Sequence, residues 1–161
     1  MLSAKEFTVG SIGQAGPLSL LLPRDKHDEV ILIGRTDDGP VAFFLSGSNQ
    51  FSAFGSSDND HWNGLLIPEV HIEVDETDTF NSQHELPPFG SVVRAGTELV
   101  AYAKSSSYTS RKKVLVVLED NLPAASQESV GFLTWQIVIG EGGLKRVLHR
   151  ISVGDQSRKR G

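Results

Sequence analysis

Residues 64–75 read Gly-Leu-Leu-Ile-Pro-Glu-Val-His-Ile-Glu-Val-Asp, and the period of their side chains decides the fold class. Counted in twos, Leu66, Pro68, Val70, Ile72 and Val74 fall on one side. Leu65, Ile67, Glu69, His71, Glu73 and Asp75 fall on the other. Successive side chains of an extended chain point to opposite faces, so this is the pattern of a strand with one face on a core and one toward water or a cleft. Pro68 has no N–H to give to a ladder and places the strand at an edge or a bulge.

The flanking sequence points the same way. Val30–Arg35 and Val41–Leu45 are apolar on both faces, and the Asp-Gly pair between them supplies the positive φ of a hairpin turn. They are expected near the middle of a sandwich or barrel, with Gln50–Phe54 extending them to a meander. Lys5–Val9 and Pro17–Leu22 are expected as short strands before them, and Val92-Val93 and Leu99–Lys104 as strands around a turn at Gly96. Val114–Leu118 is a continuous apolar run, mostly β-branched, and reads as an interior strand. Phe132–Ile139 alternates, with Leu133, Trp135, Ile137 and Ile139 as its apolar face.

The last segment fits two templates. Leu144, Val147, Leu148 and Ile151 match an amphipathic helix, whereas Val147, Ile151 and Val153 match a strand whose apolar side is interrupted by His149. Gly140-Glu141-Gly142-Gly143 before it makes a good hairpin loop and a poor helix N-cap, which favours the strand. The sum is an all-β chain of about nine to eleven short antiparallel strands, folded as a sandwich or barrel. One domain over residues 1–154 and a polar, disordered tail over 155–161 are expected.

Composition removes whole classes of chemistry. The 161 residues include no cysteine, which excludes disulfides, thiolate nucleophiles and Cys-based zinc or iron–sulfur sites. A net charge of −5 gives no global basic field for nucleic acid. The basic runs Arg111-Lys112-Lys113 and Arg158-Lys159-Arg160 carry no interleaved aromatics and read as a solvated turn and tail. The N-terminus lacks the apolar core of a signal peptide, and the longest apolar runs are too short to cross a bilayer, so a cytoplasmic protein without membrane contact is expected.

Motif tests are mostly negative. No phosphate-cradling Gly-x-x-x-x-Gly-Lys loop and no Gly-x-Ser-x-Gly elbow occurs, and Lys145 stands where a dinucleotide fingerprint starting at Gly140 needs its third glycine. An EF-hand frame from Asp58 finds Asp60 and Glu69 but has Asn63 at the place of the essential glycine. What remains is the face carrying Glu69, His71, Glu73 and Asp75. Alternate residues of a strand lie about 6–7 Å apart, so an imidazole and a carboxylate there can converge on one metal or act as a base and its orienting acid.

That alternation in a β-rich chain resembles the cupin metal site, which has two histidines one residue apart, then a carboxylate and later a third histidine. Here Glu73 replaces the second histidine and Gly64 and His71 need one extra spacer. Pro88-Phe89-Gly90 is similar to the second cupin motif, with Val93 in the place of its histidine. The departures keep the chain outside that family. The resemblance implies a metal-dependent enzyme in which His71 and Glu73 hold a divalent ion and His61 or His84 completes its sphere. The plainer reading of the face is a solvated row of charges that discourages edge pairing.

Trp62, beside His61 in a polar loop, is either a ring for stacking a ligand or a lid on the core. Long polar loops without a catalytic set favour a non-catalytic module that binds a small molecule or a protein, with no cofactor. Its binding surface is expected at His61, Trp62, Glu69, His71 and Glu73. A metal enzyme and a structural or assembly subunit are the rival readings, and the edge strands suit a homo-oligomer.

Overall fold

The computed structural model describes residues 5–11, 18–24, 29–55, 63–83, 86–105, 113–124 and 130–153. Among them the strands are β1 (Thr8–Ser11), β2 (Leu20–Pro23), β3 (Ile31–Thr36), β4 (Gly39–Phe44), β5 (Ser52–Gly55), β6 (Asn63–Ile67) and β7 (His71–Val74). They continue with β8 (Thr79–Asn81), β9 (Val92–Ala95), β10 (Glu98–Ser105), β11 (Lys113–Glu119), β12 (Val130–Phe132), β13 (Thr134–Ile139) and β14 (Arg146–Ser152). The chain is all-β. The described helical content is one 3-10 turn, Gly142–Leu144. The expected tail lies outside the described residues.

Pairing starts from the apolar hairpin. β3 and β4 run antiparallel from Ile31↔Phe44 to Thr36↔Gly39, and Gly39 alone takes the positive φ of the turn, at 118°. β4 pairs β5, β5 pairs β10, β10 pairs β11, and β11 returns to β3 at Val117↔Arg35. These pairings close a ring. Gly34 permits the last of them, because a Cβ there would lie 2.9 Å from the Val117 carbonyl oxygen. Two arms leave the ring: β2, β6 and β1 branch from β3, and β9, β12 and β8 branch from β10.

A second sheet, in the order β14-β13-β7, lies against the first. Twice the chain passes from the large sheet to the small one within a stretch that reads as a single strand. The run over residues 64–75 is broken at Pro68-Glu69-Val70, where Glu69 takes φ 58°. Its first half, β6, pairs β1 and β2; its second half, β7, pairs β13. Pro68 therefore marks a crossover, and Glu69 stands off the strand that carries His71 and Glu73. In the same way Phe132–Ile139 divides at Leu133 into β12 and β13. The C-terminal segment is the strand of a hairpin, paired from Thr134↔Ser152 to Ile139↔Arg146.

Alternation sorts the interior. Trp135, Ile137, Ile139 and Ile151 of the small sheet, with Val153 just after it, meet Leu20, Leu32 and Phe43 of the large one and Leu45 beyond β4 in the main core. The opposite face of β2, β3 and β4 is buried as well, with Leu21, Ile31, Ile33, Ala42 and Phe44 in a second cluster. This is why both faces of that hairpin are apolar. β11 departs from the interior reading. Val116 and Leu118 are buried, but Leu115 is 53% exposed, because one face of the ring-closing strand looks outward.

His149 faces the core from β14, opposite Ile137, and is held by the Leu45 backbone. Burial depresses its pKa below the ordinary 6.5. The folded state then binds fewer protons than the unfolded one, so the contribution is complete above 6.5 and is lost as pH falls through the lower folded value. Lowering the pH from about 7.5 to about 5.5 is expected to reduce the urea midpoint, and His149→Phe to flatten that slope.

Candidate functional site

The edge of β3 is shared by two strands. β2 pairs with its beginning, at Leu32 and Ile31, and β11 with its end, at Arg35. Where β2 and β11 part, a cleft of about 320 Å³ opens. Its floor is apolar: Leu18, Gly34, Val117 and Leu118. Its rim carries Arg35, His71, Glu119 and Asp120. His71 comes from the small sheet, so the cleft lies on the seam between the two sheets.

The seam is fixed by backbone groups of the β7 segment. β7 gives one edge to β13. On its other edge the Ile72 N–H donates to Glu119 Oε1 at 3.0 Å, and the Val70 N–H donates to the Leu18 carbonyl at 3.4 Å. A carboxylate thus stands where the carbonyl of a further strand would be, which blocks that edge. Arg35 is anchored on the same rim, its Nη2 donating to Glu98 at 2.9 Å and to Asp120 at 3.1 Å.

A second hollow, of about 500 Å³, adjoins the first and shares Leu18 and His71 with it. Glu69, Val70, Gly140 and Glu141 line its other side. His71 is exposed at the junction of the two. The residues expected from sequence therefore separate. Glu69 and His71 share a hollow. Glu73 faces another, of about 180 Å³, on the outer side of the small sheet with Asp75 and Arg150. His61, Trp62 and His84 lie outside the described residues.

Glu73 is already engaged there. Lys145 Nζ donates to its Oε2 at 2.8 Å and Gln136 Nε2 to its Oε1 at 2.9 Å, and these bonds hold its pKa below the ordinary 4.5. Asp75 is held below 3.8, first by the Thr77 hydroxyl and then by the Thr77 N–H. A metal at His71 and Glu73 would compete with Lys145 for the carboxylate. Among the described residues no group of three or more His, Asp or Glu comes together to hold one. No described helix is long and apolar enough to cross a membrane.

The sequence reading did not single out Arg35, Glu119 or Asp120 as site residues. Each ends an apolar strand with a charge, and that switch at the ends of β3 and β11 was the available signal. What it could not give was the fork that brings the two strand ends together.

Comparison with known proteins agrees over nearly the whole chain. A family profile described as "Uncharacterised protein y4lG" matches residues 9–159. The "Uncharacterized protein y4lG" of Sinorhizobium fredii is 46% identical over 159 residues, which is 99% of this chain and 98% of that protein. No solved structure matches.

Proposed function

This chain belongs to the y4lG family, and from that premise we propose a non-catalytic binding module whose ligand site is the cleft at the fork of β3. The observation that carries this reading is the composition of that cleft. An apolar floor of Leu18, Gly34, Val117 and Leu118 under a few convergent polar groups is the lining that small-molecule sites have, and about 320 Å³ is within their size range. Gly34, Val117 and Leu118 of the floor lie on paired strands and Leu18 is held by backbone bonds to Ile33 and Val70, so the floor is formed before a ligand arrives and little ordering opposes binding. Non-catalytic describes it better than enzymatic, because the sequence carries no recognisable nucleophile, phosphate loop or metal motif.

The test is a fragment screen of the ¹⁵N-labelled full chain by amide chemical shifts. Hits are expected to move Arg35, His71 and Val117 together. A screen whose hits move other residues, or that has no hits, removes the cleft as the ligand site.

A further inference from the structure

We propose that this cleft takes a small organic cation: an ammonium head carried on an apolar body. The inference rests on the reading of the cleft as a ligand site and adds the chemical class. Among the described residues, four carboxylates, Glu69, Glu119, Asp120 and Glu141, stand around the two joined hollows against one guanidinium, Arg35. That guanidinium does not face a ligand unopposed, since it already gives hydrogen bonds to Glu98 and Asp120.

The other acids are less committed. Glu119 gives one oxygen to the Ile72 N–H. The carboxylates of Glu69 and Glu141 make no hydrogen bond or ion pair with another described residue. Among the described residues, the negative sign of the cleft therefore survives its internal pairing. An anionic ligand would have to enter against it. A neutral one would leave the rim unused. An alkylammonium satisfies both parts, with its chain on Leu18, Val117 and Leu118 and its three N–H donors toward the carboxylates and the His71 ring. The ligand is expected to be small and free, because the volume suits a short chain and its head rather than a folded surface.

Three probes with one body and different heads decide the matter: n-hexylammonium, n-hexanol and n-hexanoate, each titrated into the ¹⁵N-labelled full chain. Hexylammonium is expected to shift the amides of Arg35, His71 and Val117 and to bind about tenfold more tightly than hexanol at low salt, with hexanoate weaker still. The advantage over hexanol is expected to shrink as salt screens the rim. The double variant Glu69→Gln, Glu141→Gln changes two exposed acids and is expected to weaken hexylammonium several-fold while hexanol is unaffected.

Equal binding of all three probes, or an unchanged affinity in the double variant, overturns the cationic class and leaves the cleft as a site. The same holds if only anionic or neutral fragments shift those amides. If no compound of any charge shifts them, the reading of the cleft fails and the class falls with it. Binding of a lysine-containing peptide with no response to hexylammonium would also overturn the proposal, by making the partner a protein.

Discussion

Trp135→Ala is expected to lower the free energy of unfolding by about 3–5 kcal/mol, seen as a lower urea midpoint at unchanged slope. Trp135 is fully buried where the small sheet meets the large one. It is paired with Val74 on one side and Ile151 on the other, so its removal opens a cavity between three strands whose backbones are fixed by ladders. The indole also has a polar duty. Its Nε1–H donates to the Gly90 carbonyl at 2.7 Å, across from the small sheet to the loop before β9. Gly90 holds φ 91° against the face of Phe51, so that carbonyl cannot easily turn to another donor. Trp135→Phe keeps most of the volume and loses the donor, and is expected to cost less, about 1–3 kcal/mol for a buried acceptor left unpaired.

The second large effect is Gly64→Ala. A Cβ at residue 64 would overlap the Leu22 carbonyl oxygen, which belongs to the neighbouring backbone and cannot swing aside as a side chain can. β6 is paired on both edges at this point, with Gly10 of β1 and Pro23 of β2, so it has no free direction in which to move. A loss of about 3 kcal/mol is expected, at the upper end of overpacking, together with faster amide exchange in β2. Gly143→Ala serves as the control. A Cβ there meets nothing within 4 Å, and its effect should stay within about 0.5 kcal/mol.

Periodicity made most of the architecture legible. The hairpin of β3 and β4 was readable because both its faces are buried, and Trp135, Ile137 and Ile139 were readable as core because their period of two matches a sheet. Periodicity is local, however, and does not say which sheet a strand joins. The pattern continues through Pro68-Glu69-Val70 and through Leu133 although the chain changes sheets at both places. Val70, Ile72 and Val74 turn inward as expected, but before the break it is Ile67 that joins them in the main core while Leu66 faces the second cluster, so the two faces change places at the crossover.

The candidate site was legible only in part for the same reason. His71 was reached from the sequence because it is a lone imidazole on a polar face. The row of Glu69, His71 and Glu73 depended on one uninterrupted strand; Glu69 leaves that strand at its positive φ yet still shares a hollow with His71, whereas Glu73 faces another. Arg35, Glu119 and Asp120 join His71 through pairings between residues far apart in the chain, and no local pattern encodes those.

The bond from Ile72 to Glu119 has a thermodynamic consequence. It is a side-chain contact, not a ladder, that ties this edge of β7 to β11, so the walls of the cleft come from two different sheets. A molecule that spans them acts as a cross-brace, and its binding energy is returned as resistance to unfolding. At a hundred times its dissociation constant such a molecule adds about 2.7 kcal/mol, enough for the melting temperature alone to report occupancy.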